Sequence, residues 1–343
     1  MSSLTLGRRT SRALRRFILA GISALSLGLG ISCSAGQAVA GEVTPWTGMG
    51  VQLPAKDNLT AAKLAGTGTI NPSPSGANEE CTPAPGQNPV VLLHGMASNA
   101  YESWSAIAPI LKAQGRCVYA LNYGAYNHLD GQGSSAIGLL PGFSGMDSLD
   151  HNLAEVSQQI DLIRQHTGAQ KVDLVGWSQG GTLATAYAKE HGSEAVGTVV
   201  SIAGVLRGTS LFGLSNLHKE LVEAGVPITT AVDGILGPIG NDLLEGSDFM
   251  MRLKDGGIEA KGVHYVAISS LMDEAATPLG NSQYNSGDYR NIVLQEGCPG
   301  DLAAHLGMPY DPRSLAYVSN ALGGNVPVPC TSTVGPFVPG SSL

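Results

Sequence analysis

The sequence predicts an α/β protein with a mostly parallel central sheet and helices on both faces, and three observations carry that reading. Short buried-type runs such as Val90–Leu93 and Val172–Val175 alternate with segments whose apolar residues recur at helical spacing. That alternation belongs to parallel strands covered on both sides. Second, Gly176-Trp177-Ser178-Gln179-Gly180 stands at a strand-to-helix junction. Third, about 60 residues separate the strand ending near Ile202 from the next one, where a crossover needs on the order of a dozen, so the surplus is expected to form a helical cap insertion over about 205–260.

Residues 1–40 carry Arg8, Arg9, Arg12, Arg15 and Arg16 and no acidic residue, then an apolar stretch from Phe17 to about Ile31, then Ala38-Val39-Ala40. This pattern predicts a secretory signal peptide cleaved before Gly41. Its apolar core is short and glycine-rich for a permanent membrane span. Arg15-Arg16 followed by Phe17, Ile18 and Leu19 matches a twin-arginine export signal only loosely, and Cys33 would suit a lipidated cysteine but for Gly30, which stands where a lipoprotein signal has leucine. Without those five arginines the 19 basic residues fall to 14 against 27 acidic ones, a net charge of −13. So acidic an exported chain argues against nucleic-acid partners and anionic membrane surfaces. Four cysteines remain after residue 40: Cys81, Cys117, Cys298 and Cys330. An even number without CxxC spacing in an exported chain points to two disulfides. Of the three possible pairings, Cys81–Cys117 and Cys298–Cys330 are favoured, because each ties a tail to a nearby strand or loop.

Residues 41–80 are rich in Pro, Gly, Asn, Thr and Ser without a sustained period, and predict an irregular N-terminal arm. The domain proper is expected over 81–343. Within it the spacing predicts a strand at Val90–Leu93, a helix from about Ser103 to Gln114 and a strand at Cys117–Leu121. A glycine-rich loop over 124–145 leads into a helix from about Asp147 to Thr167. The elbow strand, a helix to about His191 and a strand at Val196–Ile202 come next. The insertion is apolar, with Leu211, Phe212, Leu214, Leu217, Leu221, Ile228, Val232, Ile235, Leu236, Leu243 and Leu244, and reads either as a helical hairpin with its own small core or as a lid. Strands at Val263–Ser270 and Tyr289–Leu294 and a helix from Pro312 to about Leu322 complete the pattern, proline being a good first-turn residue.

The GxSxG pentapeptide around Ser178 has the form of a nucleophile elbow, a sharp turn in which side chains at Gly176 or Gly180 would collide with neighbouring elements. A serine hydroxyl is a weak nucleophile near neutral pH, so it needs a histidine base and an acid that orients the imidazole. In such folds the order along the chain is serine, acid, histidine. His305 is the one histidine of eight that follows Asp273, and Asp273 comes directly after a predicted strand. Glu274, Asp288, Asp301 and Asp311 compete for the acid role, although Asp301 and Asp311 are better suited to shaping the loop around His305. The backbone N–H groups of Gln179 and of Met96, in the turn after the first strand, are the candidate donors to an oxyanion. His94 is expected to shape that turn, and His264, inside a strand, to be structural. No cluster has metal-ligand spacing and no glycine-rich phosphate loop follows a strand, so no cofactor is expected.

The stretches VVLLHGMASN (90–99), VDLVGWSQGG (172–181), MDEAATP (272–278) and NIVLQEGCPGDLAAHLGMPYDP (291–312) resemble secreted bacterial class 2 lipases and esterases of the α/β-hydrolase fold. The WSQGG elbow and the Asp273-Glu274 pair are similar to those of the fungal lipase B type. The resemblance spans about residues 81–330. It implies Ser178 as nucleophile, Asp273 as acid, His305 as base, Met96 and Gln179 as oxyanion donors, and Cys298 in a disulfide. The activity expected is secreted carboxylic-ester hydrolysis of a lipid or other acyl ester through an acyl-enzyme. The alternatives are acyl transfer to an alcohol and a non-catalytic surface-binding protein of the same fold.

Overall fold

The computed structural model describes residues 61, 73–128, 133–210, 223 and 227–330. All lie in the larger of the chain's two compact units, Val43–Leu343. The predicted signal peptide, most of the predicted arm, and Leu211, Phe212, Leu214, Leu217 and Leu221 of the insertion fall outside the described residues.

Six parallel strands form one sheet: β1 (Val90–Leu93), β2 (Val118–Leu121), β5 (Val172–Trp177), β6 (Val196–Ile202), β7 (His264–Ser269) and β8 (Asp288–Val293), in the order β2-β1-β5-β6-β7-β8. A separate two-stranded ribbon pairs β3 (Asn127–His128) with β4 (Gly133–Ser134). The middle strands are buried along their length, VDLVGW in β5 and HYVAIS in β7, which is what two covered faces require. Apolar layers flank the sheet. One gathers Leu174, Leu183, Tyr187, Val199 and Tyr265, and the other Leu92, Trp104, Val175, Val200 and Leu315. β5 is central, so both its neighbours hold the end from which Ser178 emerges: Leu93 pairs with Gly176, and Trp177 with Ile202.

The helix expected over 103–114 is divided into α1 (Ala100–Trp104) and α2 (Ile107–Ala113). Pro109 has no N–H for the carbonyl a turn earlier, so it is tolerated only in the first turn of a new helix. Ser105 Oγ, turned back onto Tyr101 O at 2.5 Å, closes the first segment. Helix α3 (Leu149–Thr167) begins at Ser148, whose hydroxyl accepts the His151 amide, and stops at Gly168, whose φ of 67° is the left-handed stop signal. Helix α4 (Gln179–Ala195) follows the elbow and is interrupted at Gly192, next to the His191 end expected from sequence.

In the insertion, α5 (Ile228–Leu236), α6 (Ile239–Asp242) and α7 (Asp248–Lys254) are described. Ile239, Leu243, Phe249, Met250 and Leu253 are buried in the same layer as Leu174 and Tyr265, so these helices share the main core instead of building a separate one. Helix α5 buries none of its residues. Helix α8 (Pro312–Ala321) closes the fold. Disulfides join Cys81 to Cys117, just before β2, and Cys298 to Cys330. Beside the first of these, Asn78 pairs with the backbone of β2 through its own amide and side chain, satisfying the open edge of the sheet.

Candidate active site

Ser178 holds φ 56° and ψ −123°, a conformation a non-glycine residue keeps only where its surroundings enforce it. They do so here. The Ser178 amide donates to Ile202 O at 2.9 Å, and Ser178 O accepts from Gly181 N at 3.0 Å. A Cβ on Gly176 would collide with the Gly180 carbonyl, and one on Gly181 with Ser201 Oγ. Gly95 is required for a different reason, since a Cβ there would press on the Trp177 ring at 2.9 Å.

His305 Nε2 lies 2.8 Å from Ser178 Oγ. On the other side of the ring, Nδ1 is 3.0 Å and 3.1 Å from the two carboxylate oxygens of Asp273. An imidazole whose Nδ1–H donates to a carboxylate presents an unprotonated Nε2 to the hydroxyl, the arrangement a general base needs. Asp273 follows β7, and its Oδ1 also accepts the Ala275 and Ala276 amides at 2.8 Å. Burial alone would raise the Asp273 carboxyl, but the His305 charge, the His305 hydrogen bond and those two amides outweigh it and hold the group below the ordinary carboxylate range.

The His305 loop is clamped from several sides. Trp177 Nε1 donates to His305 O at 3.1 Å, and the Trp177 ring lies 5.5 Å from the imidazole. Ser270 Oγ donates to Ala303 O at 2.6 Å, and Gln295 Nε2 to Asp301 O at 2.9 Å. The acids that compete with Asp273 are engaged elsewhere. Glu274 Oε2 accepts the His305 backbone amide at 3.2 Å, Asp301 accepts Ala303 N, and Asp311 caps α8 through Ser314 N at 2.7 Å. Asp288 pairs with His264 at 3.0 Å, which gives that histidine a partner at the sheet edge.

His94 is fully buried, stacked on Tyr123 with centroids 4.1 Å apart, and its Nδ1 lies 2.8 Å from Gly95 O. Burial pushes its pKa down to about 4, only partly offset by the bond to Gly95, so the ring is a neutral spacer behind the turn. Met96 lines the same cavity as Ser178. Gln179 opens α4, a first-turn position whose N–H has no acceptor within the helix.

That cavity has a volume of about 380 Å³ and is walled mainly by apolar side chains, among them Met96, Val205, Leu236, Leu243 and Leu306, around Ser178 and His305. Among the described residues its acidic members are Glu102 and Glu274. Sequence reasoning gave Glu102 no role, and Glu274 only that of a rival acid. In sequence Glu102 stands just before the helix expected from about Ser103 and reads as an ordinary acid at a helix start; the structure puts it in the first turn of α1, facing the site. Among the described residues, no group of three or more His, Cys, Asp and Glu side chains is arranged to hold a metal ion.

The parallel sheet, the strained serine between β5 and α4 and the loop-borne acid and histidine define the α/β-hydrolase fold, and residues 88–227 match the family described as alpha/beta hydrolase fold. The chain is 30% identical over 158 residues to a triacylglycerol lipase of Burkholderia plantarii, a match covering 44% of this chain and 39% of the relative. It thus spans about two-fifths of the length of that curated relative. Among solved structures, lipase BlEst2 of Bacillus licheniformis in its propeptide form superposes with a TM-score of 0.50 at 15% identity, over 74% of this chain and 55% of that one. A monoacylglycerol lipase of Paleococcus ferrophilus gives a TM-score of 0.47 at 18% identity, over 71% and 94%. At 15% identity the likeness to BlEst2 shows the fold alone.

Proposed function

We propose that the protein is a serine carboxylic-ester hydrolase of the lipase or carboxylesterase type, acting through an acyl-enzyme on Ser178. The observation that carries the reading is the line of contacts from Ser178 Oγ to His305 Nε2, 2.8 Å, and from His305 Nδ1 to Asp273, 3.0 Å. His305 takes the hydroxyl proton as Oγ attacks the ester carbonyl, and Asp273 stabilises the imidazolium. The Met96 and Gln179 amides receive the oxyanion, and His305 returns the proton to the departing alcohol. Water, deprotonated by the same imidazole, then attacks the acyl-enzyme, releasing the acid and restoring Ser178. The apolar cavity supports an acyl chain as the bound group, and the Burkholderia relative supports a lipid ester.

Secretion belongs to the same proposal, supported by the two disulfides and by the predicted signal peptide over 1–40. The closer assignment to secreted class 2 lipases, with an elbow of the fungal lipase B type, rests on the sequence stretches quoted above. The test is hydrolysis of a graded series of p-nitrophenyl acyl esters by protein starting at Gly41, with Ser178→Ala alongside. Ester turnover that falls on the order of 10⁶-fold in the variant is expected. Folded wild-type protein that hydrolyses no member of the series would overturn the reading.

A further inference from the structure

We infer that Glu102 is a specificity-determining hydrogen-bond acceptor of the substrate cavity, and that it selects esters carrying a free hydroxyl near the scissile carbonyl over plain hydrocarbon esters. This rests on the ester-hydrolase reading and deepens it.

Glu102 lies on α1, in the chain segment that follows the Met96 turn, and its side chain shares the cavity wall with Ser178 and His305. A carboxyl in an apolar wall calls for a reason, because desolvating it is unfavourable unless hydrogen bonds compensate. The local structure supplies little of that compensation. Helix capping does not need the carboxyl, since Asn99 Oδ1 already accepts the Glu102 amide at 2.9 Å. Its side-chain partner is Ser98 Oγ, 3.2 Å from Oε2, and that hydroxyl is itself 2.9 Å from Ser103 Oγ. Glu274, the other acid of the wall, differs in that its Oε2 is engaged by the His305 amide, so it belongs to the support of the histidine.

Glu102 is therefore held through Oε2 by Ser98, itself a residue of the same cavity wall, and its carboxyl retains acceptor capacity. Burial lifts its pKa to about 7, with the Ser98 bond opposing, so near neutral pH both protonation states are present. A hydroxyl suits both states: it donates to the carboxylate and accepts from the acid. An ammonium group suits only the charged state and would have to be desolvated against an apolar wall. The selected group is accordingly an alcohol, carried either on the acyl chain or on the leaving alcohol.

Two matched pairs separate these sources: p-nitrophenyl β-hydroxyhexanoate against p-nitrophenyl hexanoate, and hydroxyethyl hexanoate against propyl hexanoate. Wild-type protein, Glu102→Gln and Glu102→Leu are compared by the ratio of kcat/KM within each pair, with active protein counted by fluorophosphonate labelling. In wild type the hydroxylated member is expected to be favoured about tenfold or more in at least one pair. The ratio should fall toward one in Glu102→Leu, while Glu102→Gln, which keeps an acceptor oxygen, should retain part of it. Ratios near one in both wild-type pairs, or a preference unchanged in the variants, would overturn the inference while plain-ester turnover leaves the ester-hydrolase reading intact. If Glu102→Leu does not fold, the wild-type and Glu102→Gln ratios decide. Folded wild type inactive on every ester would sink both.

Discussion

The carbonyl oxygen of Leu93 stands where a side chain on Gly180 would have to begin. The end of β1 and the first turn of α4 are packed backbone to backbone, and the Ser178 turn is held between them. Gly180→Ala is expected to destabilise the fold on the order of 3 kcal/mol, at the upper end for overpacking, because the obstacle is a main-chain carbonyl and not a flexible side chain. Gly234→Ala, within α5 where an added Cβ meets nothing within 4 Å, should instead be neutral or stabilising by up to about 1 kcal/mol. Urea unfolding of the two variants checks the contrast. Equal midpoints would mean that the close approach of Leu93 and Gly180 does not hold the elbow.

Asp273 and Glu274 are adjacent in sequence and bind different parts of His305, the first its ring and the second its backbone amide. Their substitutions should separate accordingly. Asp273→Asn should lower kcat on the order of 10⁴-fold, since an amide facing Nδ1 no longer holds the imidazole in the productive tautomer. Glu274→Gln retains an acceptor for the His305 amide and should lower kcat by no more than about tenfold, roughly the worth of weakening one charge-assisted hydrogen bond. Steady-state kinetics on one ester measures both. Comparable losses would assign the ring-orienting role to the pair and not to Asp273.

How far this site was legible follows from what each residue's position depends on. Ser178 was legible because its elbow is local: the glycines, the preceding strand and the following helix lie within one short stretch. His305 and Asp273 were legible through chain order, since the histidines before Asp273 fail that order. Both disulfides match the pairing favoured from the chain's tails. Glu102 was not legible, because whether a first-turn glutamate faces solvent or a cavity depends on how α1 packs against the elements around it. Pro109 carries the signal for the break between α1 and α2, but the helical spacing of Trp104, Ile107 and Leu111 runs across it and predicts one continuous helix. That Ile239, Leu243 and Phe249 join the main layer is likewise a tertiary outcome, which an apolar run in an insertion does not distinguish from a separate small core.

The two disulfides close loops of similar length, with sequence separations of 36 and 32, so chain entropy assigns each about 3–4 kcal/mol. Their surroundings differ. Cys117 precedes the edge strand β2, whereas Cys298 O accepts the Asp301 amide at 3.0 Å, at the start of the loop that carries His305. Cys81→Ala/Cys117→Ala should therefore lower the unfolding midpoint with little change in kcat at 25 °C, while Cys298→Ala/Cys330→Ala should lower both. Denaturant unfolding paired with ester kinetics reads the difference. A larger kcat loss in the first double variant would contradict it.

Asp311 and Asp301 are both fully buried, on either side of His305 in the chain. Burial, and then the charge of Asp301, push the Asp311 carboxyl up to about 7, against the lowering effect of the Ser314 and Arg313 amides and the Arg313 charge. An unfolded aspartate titrates near ~4. The sign follows from linkage: a carboxyl whose folded pKa is raised binds its proton more tightly in the native state. Its contribution is fully present below the unfolded value and is lost as pH rises through about 7. Asp311→Asn keeps a side-chain oxygen for the Ser314 amide, hence the α8 cap, and removes the charge. The variant should thus match wild type within about 1 kcal/mol near pH 4 and become more stable than wild type by ~2–4 kcal/mol at pH 8. Urea unfolding of both proteins at intervals from pH 4 to pH 8 measures the divergence. A stability difference independent of pH would show that Asp311 is ionised in the native state throughout, its charge neutralised by Arg313.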